Sequence, residues 1–196
     1  MIHFDNIIRN FKVDKIIKEN YVLFNVSDMG AEYLSRTQHL VQGNIQNIYH
    51  NNEIEFLTDC YIFSSFMNAL SYFSKCPSIL NTNILLVITG DTPSNIFLKH
   101  LNKVTNNINK YYFCINNNID SKILNIKLYL SLSLENNINC SYIIDTWVFS
   151  FGKQTQRISK YHLKDIRRLK TTLRKMNLKK KTLFRFYHSS KTIRRI

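Results

Sequence analysis

Hydrophobic residues recur with a helical period in two segments of the chain. In residues 2–21 the apolar positions return every three or four residues with charged residues between them, which predicts an N-terminal helix. Residues 59–75 show this pattern more strongly and predict an amphipathic helix with Thr58 as its N-cap. Aromatic rings at helical spacing are typical of core packing, so we assign them to the core rather than to stacking on bases.

Other segments carry the patterns of strands and loops. Residues 83–90 form a continuous β-branched and apolar run, which predicts a strand covered on both faces in a parallel sheet. Residues 110–115 and 140–146 predict two further strands, and residues 53–57 predict a short one. The polar stretch 25–52 is rich in turn-forming residues and predicts loops.

The segment between the strands predicted at residues 110–115 and 140–146 fits two structures. Residues 126–134 alternate like a half-buried strand, but two parallel neighbours need a crossover between them, and Asp120 can cap a helix that begins at Ser121. We favour the helix.

This order of strands and helices predicts the α/β class, with a Rossmann-like parallel sheet flanked by helices and a basic C-terminal helical or extended tail. The domain organisation that follows is an N-terminal helix in residues 1–24, an α/β domain in residues 25–152 and a basic RNA-binding tail in residues 153–196. With 196 residues, the chain is long enough for one such domain to bury a sizeable core.

The net charge of +14 is concentrated in the C-terminal segment. Residues 153–196 hold 16 Lys or Arg and one acid, Asp165, for a net charge of +15, whereas residues 1–152 hold 11 basic and 12 acidic residues, for a net charge of −1. Sixteen cations far exceed what solubility requires, which favours a polyanion partner. The cations would cover every side of a helix, which favours nucleic acid over a membrane surface.

The predicted RNA-binding residues are the cations of this segment. Each cation that contacts a phosphate releases counterions, which makes affinity depend on salt, but such contacts carry no sequence information. The predicted set is Lys153, Arg157, Lys160, Lys164, Arg167, Arg168, Lys170, Arg174, Lys175, Lys179, Lys180, Lys181, Arg185, Lys191, Arg194 and Arg195.

The remaining composition points to the compartment. The chain has 24 Asn, 25 Ile and 18 Lys but two Ala, a skew expected of a low-GC genome such as an organellar one. No presequence pattern opens the chain and no run approaches the roughly twenty apolar residues of a membrane span, so we expect a protein that is soluble or bound to a soluble assembly. The four cysteines, Cys60, Cys76, Cys114 and Cys140, stand singly, and we expect buried, reduced thiols.

No motif in the sequence specifies catalysis, a metal or a cofactor, and we expect none of them. The turn after residues 83–90 places Thr92 as a helix cap and Pro93 at the first position of a helix that runs to about residue 107. It lacks the glycine pattern of phosphate-binding loops, and Asp91 would repel a phosphate. Asp145 is expected to be buried at a strand end, where it would be a candidate carboxylate ligand without an evident partner. The six histidines lack metal-ligand spacing.

Three stretches of the chain and one upstream histidine carry a family resemblance. Residues 47–59 (NIYHNNEIEFLTD), residues 83–97 (NILLVITGDTPSNIF) and residues 137–146 (NINCSYIIDT) follow one another with an Asp-Thr pair at the end, and His39 lies upstream. In this order the motifs resemble the family of the universal small-subunit ribosomal protein number two, in a reduced organellar form.

The resemblance implies a doubly wound α/β domain docked on ribosomal RNA beside other small-subunit ribosomal proteins, with no small-molecule substrate and no membrane. Together with the composition it predicts a structural component of the small subunit of a mitochondrial ribosome, in the matrix. One alternative is an RNA-associated enzyme or ribosome assembly factor with a methyltransferase-like domain. Another is an additional subunit of a different large organellar complex, for which the Phe and Tyr content is the only indication.

Overall fold

The structure is a computed structural model that describes most of the first 164 residues and one later strand. The described ranges are 2–18, 21–27, 30–35, 38–108, 110–115, 118–134, 138–151, 153–164 and 183–186.

The helices lie in both halves of the described chain. They are α1 (Ile2–Asn10), α2 (Phe66–Lys75), α3 (Asn95–Val104), α4 (Ile119–Leu134) and α5 (Lys160–Lys164), and short 3-10 turns occur at Ile54–Phe56 and Pro77–Asn81. The helix favoured for the segment before residue 134 is therefore confirmed as α4. The N-terminal helix predicted over residues 2–21, within a segment 1–24, was wrong in its second part. The helix α1 ends at Asn10, Lys12 adopts a positive φ of 50°, and residues 15–17 and 21–27 form strands.

A five-stranded mixed sheet lies at the centre of the fold. Its strands are β5 (Asn47–His50), β6 (Asp59–Phe63), β7 (Ile84–Ile88), β8 (Lys110–Phe113) and β12 (Leu183–Phe186). They are ordered β12-β8-β6-β7-β5; the first four are parallel, and β5 is antiparallel to β7. Every residue of β7 is buried, which confirms the buried strand predicted from its continuous apolar run.

The two faces of this sheet pack in separate cores. In β6, Tyr61 and Phe63 pack with α1 and α2, whereas Cys60 and Ile62 pack with α3 and α4. The residues of β7 alternate between the same two cores. This alternation follows from the two-residue period of a strand, and it gives the sheet a helical layer on each side.

A four-stranded antiparallel sheet occupies part of the segment that was expected to form loops. Its strands, in order, are β1 (Lys15–Ile17), β2 (Tyr21–Ser27), β3 (Gly30–Ser35) and β4 (His39–Gly43). Phe24 and Leu34 pack against the core that contains α2. The prediction of loops over residues 25–52 was wrong because polar, turn-forming residues lie within the strands themselves, and a register shift interrupts the β2–β3 pairing between Phe24 and Ser27.

A three-stranded antiparallel sheet follows α4. Its strands are β9 (Ile138–Ile143), β10 (Thr146–Phe151) and β11 (Gln154–Ser159), with β10 in the centre. Phe149 and Ile158 are buried against Ile126 and Leu130 of α4. The folded chain thus continues beyond residue 152, where the tail was predicted to begin.

The predicted helix over residues 59–75 was wrong in its first part. Residues 59–63 form β6, which lies between β7 and β8, and the helix begins only after Ser65, whose side chain caps it. The adjacent apolar residues Ile62 and Phe63 fit a helical period as well as a fully buried strand, so periodicity could not separate the two. Likewise Ser94 rather than Thr92 caps α3, and residues 54–56 form a 3-10 turn instead of a strand.

The fold combines helices with mixed sheets, and most of the strand pairs are antiparallel. The expected third parallel strand over residues 140–146 is instead divided between β9 and β10 of the antiparallel sheet. Ile144 and Asp145 form a tight turn there with positive φ angles, which ends one strand and reverses the chain.

We expect thiol reactivity to follow burial. Burial raises the pKa of the Cys60 and Cys114 thiols well above their ordinary value, so both stay protonated in the folded chain. Native protein treated with iodoacetamide near pH 8 should therefore be modified at the half-buried Cys76 long before Cys60 or Cys114, as mapped by mass spectrometry.

The same shift has a consequence for stability. The folded pKa of these thiols lies above the unfolded one, so their contribution to stability is present below the ordinary value of 9.0 and decreases as the pH rises above it. Rapid native alkylation of Cys60 at neutral pH would contradict the buried position of β6.

Candidate nucleic-acid interface

The described part of the chain contains some of the predicted RNA-binding residues. Lys153, Arg157 and Lys160 lie on or beside the three-stranded sheet, Lys164 lies in α5, and Arg185 lies in β12 of the other sheet, opposite Tyr112. The remaining predicted residues, Arg167, Arg168, Lys170, Arg174, Lys175, Lys179, Lys180, Lys181, Lys191, Arg194 and Arg195, lie outside the described residues.

The three-stranded sheet has one apolar and one polar face. Its inward face packs on α4, as described above. Because side chains alternate along a strand, Arg157 projects from the opposite face, in register with Val148 of β10, which in turn pairs with Ser141 of β9. The other residues of that outward face are Asn139, Ile143, Thr146, Ser150, Thr155 and Ser159.

This outward face offers groups that bind a nucleic-acid backbone. Arg157 is exposed, and the exposed Lys153 stands at the β10–β11 connection. A guanidinium or ammonium group pairs with phosphate, and neighbouring Ser, Thr and Asn side chains can donate hydrogen bonds to phosphate or sugar oxygens. We call the outward residues together with Lys153 the polar sheet face.

Asp145, predicted as a buried carboxylate, is exposed. It lies in the β9–β10 turn, its carboxylate forms an ion pair with Lys160, and the Tyr142 hydroxyl donates to it over 2.9 Å. These contacts, the hydrogen bond to Asp145 first, raise the pKa of the Lys160 ammonium and of the Tyr142 phenol. The prediction was wrong because the apolar residues before Asp145 end in an exposed turn rather than in the core.

The turn at Gly90, the place where a phosphate-binding loop would lie, is filled by the protein itself. Gly90 has a φ of 61°, and a Cβ there would lie 2.5 Å from the Asn44 side-chain oxygen and 2.9 Å from the Ile45 carbonyl oxygen. Asn44 and Gln46 donate to the Thr92 carbonyl oxygen over 3.0 and 3.1 Å. The loop between β4 and β5 therefore covers this turn, in agreement with a purely structural turn.

The N-terminus of α2 is occupied in a comparable way. This helix follows parallel strand β6, a position where α/β proteins bind anions. Here the fully buried carboxylate of Glu32 accepts the backbone N–H groups of Phe66 and Met67, both over 2.8 Å. The Ser65 hydroxyl accepts the third N–H of the first turn, from Asn68. A carboxylate of the protein itself thus accepts hydrogen bonds from the N–H groups at this helix end.

His39 completes the Glu32 site. Its Nε2 lies 2.8 Å from a carboxylate oxygen of Glu32, and its side chain remains 35% exposed. The sequence analysis missed Glu32 because it fell in the stretch that was expected to form loops. The available signal was a single acid among the apolar residues of the segment GAEYLS.

The described residues show neither a metal-ligand cluster nor a membrane-spanning helix. Among them, no three His, Cys, Asp or Glu side chains come together in a way that could hold a metal ion. No described helix is both long and apolar enough to cross a bilayer.

Comparison with known proteins gave no match. No protein-family model, curated protein or solved structure is significantly similar to the chain.

We expect replacement of Glu32 by Gln to destabilise the fold by about 2–3 kcal/mol, because an amide replaces a buried charge that accepts two helix N–H groups and a histidine contact. Urea unfolding should show a lower midpoint. The matched control is Glu55→Gln, which changes an exposed carboxylate and should alter stability by less than about 0.5 kcal/mol. Equal stability of the two variants would contradict a stabilising role for Glu32.

Proposed function

We propose that this chain is a non-catalytic RNA-binding component of a ribonucleoprotein particle, and specifically a structural protein of the small subunit of a mitochondrial ribosome. The observation that carries the proposal is the charge of residues 153–196, where 16 cations stand against one acid. When such a segment binds RNA, counterions are released, and this release favours binding in a way that a neutral partner does not provide.

The folded beginning of this segment supports the proposal. Residues 153–164 are not a detached tail, since Ile158 and Leu163 are fully buried against α4. The fold therefore holds Arg157 and Lys153 on a fixed surface, and further cations follow in the sequence. A fixed surface supplies the register that flexible cations alone lack.

The ribosomal assignment is the finer part of the proposal and rests on the motif order. The parallel strands β6, β7 and β8 alternate with helices, as in the doubly wound domain implied by the resemblance, and we propose that they are its reduced equivalent. Under this proposal the partners are ribosomal RNA and other small-subunit ribosomal proteins, and the location is the mitochondrial matrix.

The enzyme alternative depends on the ends of the parallel strands. A methyltransferase-like domain would hold its cofactor where β6 and β7 lead into helices. In this chain Glu32 occupies one of these positions and the Asn44–Gln46 loop covers the other. These contacts favour a scaffold over a cofactor-binding enzyme.

We expect the logarithm of the RNA-binding constant of the purified chain to fall linearly with the logarithm of the salt concentration. Arg157→Gln should reduce that slope by about 0.7–0.9, the contribution of one phosphate contact. Lys99→Gln, which removes an exposed cation of α3, is the matched control and should leave the slope unchanged. Fluorescence anisotropy of labelled RNA provides the measurement. A slope near zero for the unmodified chain would refute RNA binding.

The ribosomal assignment has its own test. In native extract separated on a sucrose gradient, the protein should sediment with the small ribosomal subunit, and RNase treatment should release it. Mass spectrometry of the fractions identifies the chain. Sedimentation as a free small protein in untreated extract would remove the ribosomal proposal while leaving RNA binding to be judged by the salt dependence.

A further inference from the structure

The β9–β10 turn places an isoleucine in a conformation that isoleucine rarely adopts. Ile144 and Asp145 have φ angles of 40° and 57°. Two-residue turns with both φ angles positive normally use Asn and Gly, because a β-branched side chain is strained there. Ile144 is nevertheless 92% exposed. Neither core packing nor turn geometry accounts for an isoleucine at this position.

Two exposed tyrosines stand beside this turn. Tyr142 is 50% exposed and Tyr161 is 59% exposed. Asp145 connects them. Its carboxylate accepts a hydrogen bond from the Tyr142 hydroxyl and forms an ion pair with Lys160. The Lys160 ammonium in turn lies 5.5 Å from the centroid of the Tyr161 ring. These five residues, Tyr142, Ile144, Asp145, Lys160 and Tyr161, form one exposed cluster that we call the turn patch.

The chemistry of the turn patch suits a base better than a phosphate. Lys160 is paired with the Asp145 carboxylate, so the patch gains little from a further anion. What it presents are aromatic ring surfaces and an aliphatic side chain. Aromatic rings stack on nucleobases of any sequence, and apolar side chains wedge against them.

The surroundings of the patch favour RNA as its occupant. The cations of residues 164–196 follow Tyr161 directly in the chain, and Arg157 lies in β11 of the same sheet, on the face opposite to that of Tyr142. An RNA strand whose phosphates contact Lys164, three residues after Tyr161, can bring its bases to the patch. Proteins that bind single-stranded RNA combine cations along the backbone with aromatic platforms in this way.

We propose that the turn patch stacks unpaired bases and thereby selects single-stranded RNA, such as loops and bulges, over duplex. The proposal rests on the RNA binding proposed above and specifies its substrate class. Duplex RNA keeps its bases paired and stacked, so it can reach the cations but not the rings.

The chain contains its own reporter for this test. Trp147 is the single tryptophan, and its ring centroid lies 4.8 Å from that of Tyr142. Titration of the full chain with an unstructured single-stranded RNA should change the Trp147 emission. A duplex of the same length, at the same salt, should bind with little change in emission.

Substitution of Tyr161 separates stacking from charge. Tyr161→Ala should weaken binding of the single strand by about 5- to 150-fold, the range expected for loss of one base–aromatic stack, and leave duplex affinity unchanged. Tyr161→Phe keeps the ring and should bind like the unmodified chain. Tyr21→Ala, which removes an exposed tyrosine of the four-stranded sheet, should have no effect.

Substitution of Ile144 separates function from folding. Ile144→Asn places a residue that tolerates positive φ in the turn, so the melting temperature should rise while single-strand affinity falls. If Ile144 affects only folding, the melting temperature should rise without any loss of single-strand affinity. Unchanged affinity in both Ile144→Asn and Tyr161→Ala would overturn the proposal.

The outcomes also separate this proposal from the one it rests on. If neither single strand nor duplex binds, the proposed RNA-binding function fails as a whole. If both bind with equal, salt-dependent affinity and Trp147 emission stays constant, RNA binding stands and the stacking site is refuted.

Discussion

The buried carboxylate of Glu32 joins two parts of the fold that share no strand pairing. It belongs to β3 of the four-stranded sheet, and it accepts the first two N–H groups of α2, the helix that follows central strand β6. An unpaired buried carboxylate costs several kcal/mol, so its presence requires these donors and His39 to be in place together. The four-stranded sheet, α2 and β6 are therefore positioned by one set of contacts.

This constraint bears on function as well as on stability. The electropositive ends of helices after parallel strands are where many α/β proteins bind phosphorylated ligands. In this chain one such end holds an internal carboxylate, and the turn before α3 is covered by the loop around Asn44. Under the proposed function, the described groups left to contact RNA phosphates are those of the polar sheet face, in the second half of the chain.

The sequence predicted those elements whose signal is local. The run of β7 was recognised because five consecutive apolar residues leave no alternation. The helix α4 was favoured because a crossover to a third parallel strand was expected, and it is present although the next strand belongs to the antiparallel sheet. It could not predict β6, since strands buried on both faces and helices share the same apolar runs. It also missed the four-stranded sheet, whose strands pair with their neighbours in the chain but lie in a polar, turn-rich sequence, and with it the partner of the α2 terminus.

The candidate interface also has one part that the sequence predicted and one part that it did not. The cations of residues 153–196 were evident from composition, because charge needs no tertiary context. The turn patch was not, since Tyr142, Asp145 and Tyr161 come together only when β9 and β10 reverse at a strained turn and β11 leads into α5.

The cationic segment is also held by the fold at two separate points. It leaves the three-stranded sheet at α5, and its residues 183–186 return as β12 on the edge of the mixed sheet, parallel to β8. This double attachment places Arg157 and Arg185 on different sheets, so a substitution at one position tests a different part of the fold from a substitution at the other.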